Sequence, residues 1–276
     1  MKLITVEQME AATERLLETG RQVGADSWQQ RVKNQTPHCK FGEEGVCCRI
    51  CSMGPCRITP KAPRGICGCD VHGIVARNYL RFTAGGAATH SDHGREICHT
   101  LYQTHEGGNY TVKDPEKLKR IAGEWGIETE GKDIYDLAHE VAETALMEYG
   151  KPFGNCRFLS RAPEHTRKLW HDAGIEPRAI DREVSQSLHM THMGCSSLPE
   201  ALIRQSLRAG LCDGWGGSMC GTEFSDVLFG TPKPIDTTAN LGVMEKDMVN
   251  IVVHGHDPSL SEMVVHYAQA VSYTHL

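Results

Sequence analysis

Apolar residues recur with helical spacing along most of the first 230 positions. The spacing predicts a helix over residues 5–24 that ends near Gly24. It predicts a second helix over residues 73–82 and a third that begins after Gly85-Gly86. Further helices are expected over residues 114–125, 133–149, 164–173, 179–193 and 199–211.

Residues 36–69 depart from this spacing. They hold Gly, Pro and nearly all the early cysteines without a sustained apolar period, so we expect a loop-like segment. No β-hairpin is expected before residue 210. The glycine-rich stretch 214–218 lacks a preceding strand and the lysine of a phosphate-binding loop, and phosphate binding there is therefore not favoured.

The pattern changes again near residue 230. Residues 230–234 (GTPKP) read as a linker, residues 248–253 as a short buried strand, and residues 260–270 as an apolar-periodic helix. The fold class expected is therefore α/β. A mainly α-helical domain over residues 1–232 precedes the first strand and helix of a Rossmann-like α/β domain over residues 233–270. One strand and one helix cannot bury a sheet face, so we interpret the chain as truncated and residues 271–276 as a non-native tail.

Composition and charge narrow the function classes. Of the 276 residues, 39% are hydrophobic and 23% charged, which is typical of a globular protein rather than a disordered one. The net charge of −6 argues against a general nucleic-acid binder. No apolar run approaches the roughly 20 residues of a membrane span, and the N-terminus lacks the apolar core of a signal peptide. We therefore expect a cytoplasmic protein without a membrane span, in which cysteines stay reduced.

Seven of the twelve cysteines lie between Cys39 and Cys69, and this crowding indicates a metal site. Thiolate is a soft ligand that suits iron–sulfur clusters or zinc. The Cys48-x2-Cys51 loop lets two sulfurs approach one centre, and Cys56 can add a third. Adjacent side chains of an extended segment point to opposite sides, so Cys47 and Cys48 are expected to serve different centres.

Two alternatives stay open for the cysteines, namely a structural zinc site and free buried thiols. Zinc sites usually show two paired knuckles, and this sequence has one knuckle plus a crowded set, which favours iron–sulfur clusters. Each of the five remaining cysteines is expected to be a small core residue: Cys98, Cys156, Cys195, Cys212 and Cys220.

Histidines form the second candidate group. We expect His90, His93 and His99, at offsets of three and nine, to share one helix face and to pass protons. Solvated or core histidines are the alternative. His254 and His256 follow the predicted strand, at the end where open α/β sheets bind ligands. Either could ligate a metal, or the segment could be a turn that Asp257 caps.

Eight segments in order carry a resemblance to a known family. Together they resemble the nickel-iron anaerobic carbon monoxide dehydrogenases, from about residue 36 to residue 270. The segments are CKFGEEGVCCRICSMGPCRI (39–58), RGICG (64–68), IVARN (74–78), HSDHGRE (90–96), DGWGGSM (213–219), FGTPKP (229–234), NLGV (240–243) and HGHDP (254–258).

The resemblance implies a set of cluster ligands. Cys39 and Cys47 match the cysteines of a 4Fe–4S cluster shared across a homodimer axis. A 4Fe–4S cluster within each subunit would be held by Cys48, Cys51, Cys56 and Cys67, with Cys69 an extra thiol. His256 matches the histidine ligand of the nickel-iron-sulfur active cluster, and His254 is the alternative.

The resemblance also implies the proton-transfer groups. His90 matches the active-site acid/base, His93 and His99 belong to its proton path, and Asp213 is a candidate for an aspartate near the active cluster.

The implied reaction is CO + H2O → CO2 + 2H+ + 2e−, in either direction. Electrons would pass through the clusters to a ferredoxin-like carrier, with acetyl-CoA synthase as a further partner. The other ligands of the active cluster lie beyond residue 276 in this family, so the active cluster is incomplete and we expect these residues alone not to oxidise CO. The alternatives are a hybrid-cluster (hydroxylamine reductase-like) protein and a non-catalytic iron–sulfur electron-transfer module.

Overall fold

Helices make up most of the chain in the computed structural model, which describes residues 6–25, 27–233, 263–264 and 266–268. Two very short strands, one 3-10 helix and one π-helical segment accompany them in this part of the chain. In order, the elements are α1 (Val6–Gln22), α2 (Trp28–Asn34), α3 (Lys40–Glu43), β1 (Cys47–Cys48), β2 (Cys56–Arg57), α4 (Val71–Tyr102), α5 (Pro115–Glu124), α6 (Ile134–Gly150), the 3-10 helix (Arg157–Arg161), α7 (Glu164–Asp172), α8 (Ile180–Thr191), α9 (Pro199–Cys212), the π segment (Asp213–Ser218) and α10 (Met219–Phe229).

Helix α4 is the element against which most others pack. It contacts α6, α8, α9, the π segment and α10. The prediction of two helices separated at Gly85-Gly86 was wrong, because α4 runs unbroken through both glycines. Each glycine costs a helix about 1 kcal/mol relative to alanine. The flanking Ala84 and Ala87 are buried against the neighbouring helices, and this packing outweighs the glycine penalty.

The other predicted helices are confirmed to within one or two residues. Two of them show the expected N-terminal caps. The Asp114 carboxylate accepts the backbone N–H of Lys117 at the start of α5. The Asp133 carboxylate accepts that of Tyr135 at the start of α6. These side chains satisfy N–H groups that a helix start leaves without a partner.

Strands β1 and β2 overturn the expectation that no hairpin precedes residue 210. They form an antiparallel ladder in which Cys47 lies opposite Arg57 and Cys48 opposite Cys56. With only two residues in each strand, the ladder leaves no alternating apolar pattern that a sequence could display.

Helix α9, the π segment and α10 form one continuous helical stretch that crosses α4. The glycine-rich residues 214–218 are therefore helical rather than a loop. At the crossing, a Cβ placed on Gly94 would lie 2.6 Å from the carbonyl oxygen of Gly217. A Cβ on Gly217 would lie 2.7 Å from the carbonyl carbon of His90. The two backbones touch, and only glycine fits between them.

The main core fills the space between α4, α5, α6, α8 and α10. Among its largest fully buried side chains are Tyr149, Phe224 and Leu118. Four of the five cysteines predicted to be core residues are buried, namely Cys98, Cys156, Cys212 and Cys220. Cys195 is exposed in the turn after α8, and the prediction is wrong for that residue.

Past α10, residues 230–233 carry no regular structure, in agreement with the predicted linker. The strand predicted at 248–253, His254, His256 and the tail 271–276 lie outside the described residues. Residues 263–264 and 266–268 are helical, as the pattern over 260–270 predicts. Within the described ranges, no helix combines the length and apolarity needed to cross a membrane.

The close contact between Gly94 and Gly217 leads to a prediction about stability. We expect Gly94→Ala to lower the free energy of unfolding by about 1–3 kcal/mol, because the new methyl group overpacks the contact with Gly217. Urea denaturation of the parent and variant proteins measures the change.

The matched control is Gly123→Ala in α5. Gly123 is an exposed helical residue whose Cβ would meet nothing within 4 Å. This variant should be more stable than the parent by about 0.4–1 kcal/mol, since alanine restricts the unfolded chain. If both variants shift stability by the same amount and sign, the crossing does not require glycine.

Candidate metal centre and histidine–aspartate pair

The β1–β2 ladder sets the positions of two thiols. Cys48 and Cys56 are directly opposite each other, so their side chains project from the same face of the ladder. Neighbouring residues of a strand face opposite sides, which directs Cys47 away from that face. The cavity described below includes Cys48 among its lining residues and does not include Cys47. The two thiols thus lie on different sides of the ladder, and their service of different centres stays a prediction.

The chain between the two strands is too tight for a side chain at Gly54. A Cβ there would lie 3.0 Å from the carbonyl oxygen of Cys48 and 3.3 Å from the amide nitrogen of Cys56. This close path carries Cys51 back toward the ladder, and Cys51 lines the same cavity as Cys48 and Cys56.

A second turn, over residues 64–70, brings in Cys67. The amide of Gly65 donates to the carbonyl of Cys69, and the amide of Gly68 donates to that of Gly65, both at 2.8 Å. Gly68 has a φ of +86°, a conformation that glycine adopts without strain. The turn ends at Asp70, whose carboxylate caps the first turn of α4 by accepting the Gly73 amide.

These segments and the first turns of α4 enclose one cavity. Five thiols line it, together with aliphatic groups and one guanidinium. The lining residues are Cys48, Ile50, Cys51, Cys56, Gly65, Ile66, Cys67, Cys69, Ile74, Arg77 and Met193. The four cysteines expected to hold one cluster therefore share one cavity, and Cys69 joins them.

Hydrogen-bond donors point at two of the sulfurs. The amide of Ile66 donates to the Cys56 sulfur at 3.5 Å. Nη1 of Arg77 donates to the Cys67 sulfur at 3.6 Å. Donors of this kind stabilise thiolate, the form that binds metal.

Cys67 and Cys69 differ in the direction of their pKa shifts. The backbone N–H of Cys69, with help from Arg77, lowers the pKa of the exposed Cys67 thiol. Burial raises the pKa of the Cys69 thiol. Of the two, Cys67 is therefore the more readily available thiolate.

The donor set fits an iron–sulfur cluster. Thiolates in an aliphatic cavity, with N–H groups directed at the sulfurs, are the surroundings in which proteins hold such clusters. Within the described ranges, no three His, Cys, Asp or Glu side chains converge closely enough for a single metal ion.

Farther along α4, His90 contacts the carboxylate of Asp213, the aspartate that the resemblance gives as a candidate near the active cluster. Its Nδ1 lies 2.5 Å from Oδ1 of Asp213, the first residue of the π segment. The side chains are 45% and 29% exposed, so the pair is accessible from solvent. Gly217 lets the π segment approach His90 closely enough for this contact.

The expectation that three histidines share one face was wrong for His99. All three lie on the unbroken helix α4. Three residues separate His93 from His90, which keeps the two within about 60° around the helix axis at 100° per residue. Nine residues make 2.5 turns, so His99 lies about half a turn from His90. His99 is exposed, whereas Nε2 of His93 is buried without a hydrogen-bond partner among the described residues.

Sequence reasoning did not single out Arg77 as a functional residue. It belongs to the IVARN segment, where the signal was one arginine directly after the apolar residues 74–76. The structure places its side chain in the wall of the thiol cavity.

Comparison with known proteins gives consistent matches. The Prismane/CO dehydrogenase family matches residues 46–275. "Carbon monoxide dehydrogenase 1" of Methanosarcina mazei is 46% identical over 266 residues, which cover 95% of this chain and 42% of the relative. The chain therefore spans about two fifths of that relative's length.

Solved structures of the same class share the fold. A nickel-free crystal structure of carbon monoxide dehydrogenase from Thermococcus sp. AM4 has a TM-score of 0.81 at 47% identity, covering 92% of this chain and 41% of that one. A structure of acetyl-CoA synthase/carbon monoxide dehydrogenase also gives 0.81, at 38% identity, with coverage of 93% and 39%.

The opposite pKa shifts of Cys67 and Cys69 predict that the two thiols are alkylated at different rates. In metal-free protein, iodoacetamide should modify Cys67 far faster than the buried Cys69 at neutral pH. A lowered pKa keeps the reactive thiolate populated to lower pH. As the pH is lowered, the alkylation rate of Cys67 should therefore begin to fall at a lower pH than the rate of a cysteine in an unstructured peptide. Peptide mass spectrometry after timed labelling measures both rates. Faster labelling of Cys69 would contradict the prediction.

Proposed function

The chain belongs to the Prismane/CO dehydrogenase family, and from this we propose that it is part of an anaerobic carbon monoxide dehydrogenase. The proposed reaction is CO + H2O → CO2 + 2H+ + 2e−, run in either direction. One observation carries the proposal. A single helix, α4, borders a thiol-lined cavity at one end and holds a histidine–aspartate pair farther along, so groups for electron and proton transfer share one scaffold.

The proposed ligands of a 4Fe–4S cluster within the subunit are Cys48, Cys51, Cys56 and Cys67. Such a cluster carries one electron at a time. The shared cavity supports this set. Exposure and the donors around its sulfur favour Cys67 over the buried Cys69 as the fourth ligand.

A second 4Fe–4S cluster is proposed to use Cys39 and Cys47 and to be shared with a second copy of the chain. Two thiols are half of such a cluster's ligands, and a two-fold axis supplies the other half. Cys39 is exposed and Cys47 half-buried, as ligands that meet a partner's ligands must be.

An apolar stripe beside Cys47 supports the homodimer. Val75, Tyr79 and Phe82 follow one another on one face of α4, and Phe82 is 81% exposed. The neighbouring Asn78 amide donates to the carbonyl of Cys47 at 3.0 Å, which holds the Cys47 segment against this part of α4. A second copy that meets Cys47 would cover the stripe.

The nickel-iron-sulfur cluster is proposed to take His256 as a ligand, with His254 as the alternative. When bound, that cluster supplies the two-electron chemistry of CO and CO2. Near that cluster, the proposed contribution of this chain's side chains is proton transfer. A carboxylate only accepts hydrogen bonds, so Asp213 holds the proton of His90 on Nδ1 and leaves Nε2 as the base.

His93 is the proposed next group in the proton path, because it lies on nearly the same side of α4 as His90. His99 keeps its assignment to this path from the resemblance alone, since it lies half a turn away from His90. In the reverse direction the same groups would deliver protons.

Electrons are proposed to leave through the shared cluster to a ferredoxin-like carrier. One structural neighbour is an acetyl-CoA synthase/carbon monoxide dehydrogenase, and acetyl-CoA synthase is accordingly a proposed partner. We place the enzyme in the cytoplasm, where thiols remain reduced for cluster assembly. The hybrid-cluster alternative is not favoured, because the relatives reported above are named carbon monoxide dehydrogenases.

The central experiment measures CO-dependent viologen reduction by the complete protein, produced anaerobically. The parent should reduce viologen with CO as the sole donor. The kcat of His90→Gln should be about 10²–10⁴-fold lower than that of the parent, because a general base usually contributes a factor of this size. Asp213→Asn should show a smaller loss in the same direction, because His90 then lacks the carboxylate that fixes its tautomer.

The matched control is His171→Gln. His171 also pairs with a carboxylate, Glu176, at 2.8 Å, but on the exposed surface of α7. Its removal should leave kcat unchanged. Iron and nickel contents must equal the parent's in all three variants. No CO-dependent activity in a metal-replete parent would refute the proposed reaction, and full activity in His90→Gln would refute the role of His90.

A further prediction concerns the dimer. Phe82→Glu puts a charge on the apolar stripe and should shift the protein toward monomers, with loss of the iron that the shared cluster accounts for. Phe153→Glu is the control, because Phe153 is 85% exposed in the loop after α6. Sedimentation velocity and iron analysis measure both effects. A Phe82→Glu protein that remains dimeric with full iron would place the interface elsewhere.

A further inference from the structure

Arg77 is a buried cation in the wall of the thiol cavity. Only 3% of its surface is exposed. Its Nε donates to the carbonyl oxygen of Ser196 at 2.7 Å, and its Nη1 donates to the sulfur of Cys67 at 3.6 Å. One edge of the guanidinium is thus held by the backbone, and another N–H group points at a thiol.

Among the residues that the structure describes, no carboxylate lies within ion-pair distance of the Arg77 guanidinium, whose contacts are the Ser196 carbonyl and the Cys67 sulfur. An arginine stays protonated in proteins, and a buried charge without a counter-charge is costly. Lys117, the other buried cation in the described part of the chain, has such partners in Glu223 and Asp226. Within the described residues, the group beside Arg77 that can carry a negative charge is the Cys67 thiol, at 3.6 Å.

The backbone around Arg77 fixes its position. Gly73, one turn earlier, approaches the loop between α8 and α9 so closely that a Cβ would lie 2.8 Å from the carbonyl oxygen of Ser197. That contact and the bond to Ser196 hold the loop on α4. One turn later, Nε of Arg81 donates to the hydroxyl of Thr191, the last residue of α8, at 2.9 Å. Arg81 does not line the cavity.

We propose that Arg77 is a positioning residue that raises the reduction potential of the 4Fe–4S cluster held in part by Cys67. Reduction adds one negative charge to the cluster. A buried positive charge and an N–H group directed at a ligand sulfur stabilise the reduced form more than the oxidised form. The inference rests on the proposed function, because it takes Cys67 as a cluster ligand.

A purely structural role makes a different prediction. If Arg77 only tied the loop at Ser196 to α4, its replacement would lower stability and leave the potential of an intact cluster unchanged. The potential therefore separates the two roles, and activity is not needed as the readout.

The experiment is a redox titration of the complete protein with anaerobic EPR detection, comparing the parent with Arg77→Gln, Arg77→Lys and Arg81→Gln. Arg77→Gln removes the charge, and its cluster should have a more negative midpoint potential. Arg77→Lys keeps the charge but cannot reach both Ser196 and Cys67 with a planar fork, so we expect a smaller shift of the same sign. Arg81→Gln should match the parent.

The outcomes are decisive in each direction. An intact cluster in Arg77→Gln with the parent's potential overturns the inference, as does an equal shift in Arg81→Gln. If Arg77→Gln fails to retain the cluster, Arg77→Lys decides, since a more negative potential supports the inference and an unchanged one overturns it. A parent protein without any 4Fe–4S signal overturns the proposed function itself and this inference with it.

Discussion

The backbone contact between Gly94 and Gly217 is the constraint on which the site depends. It lets the stretch from α9 to α10 cross α4 without side chains between the two backbones. His90 and Asp213 lie at this crossing, and their 2.5 Å contact requires the close approach. A wider separation would leave the imidazole without its carboxylate. The π-helical turn that begins at Asp213 belongs to the same crossing, and such turns frequently mark functional sites.

One rigid helix also fixes the distance between the two kinds of chemistry. Thirteen residues separate Arg77 from His90, which at 1.5 Å per residue is about 20 Å along α4. The thiol cavity at its N-terminal end and the histidine–aspartate pair are therefore held apart by a structure that does not bend freely. Under the proposed function, electrons would leave through the thiol end and protons would be handled at the histidine–aspartate pair, so that neither set of groups must serve both purposes.

Sequence reasoning was accurate where a single periodic pattern decides the structure. It located the amphipathic helices and the capping aspartates 114 and 133. Cysteine spacing also identified three of the five thiols that line the cavity, namely Cys48, Cys51 and Cys56. Sequence reasoning failed where tertiary packing decides. Gly85-Gly86 looks like a helix break, yet buried neighbours keep α4 continuous. The two-residue strands are too short to leave a pattern, and the part played by Arg77 depends on a loop 119 residues away in sequence. The position of His99, half a turn away from His90 around α4, could have been obtained from the sequence, because nine residues are 2.5 helical turns.

The adjacent cysteines 47 and 48 connect the fold to electron transfer under the proposed function. Consecutive residues of a strand have Cα atoms only 3.8 Å apart while their side chains point to opposite faces. Pairing with β2 holds Cys48 on the cavity face, which leaves Cys47 for the other face. Two clusters bound by neighbouring residues are necessarily close to each other, whatever the rest of the chain does. The two-residue strand β1 would thus set the electron path from the interior of the subunit to its dimer axis. Arg77 acts on the inner of these two clusters and would therefore bias the direction in which electrons move between them.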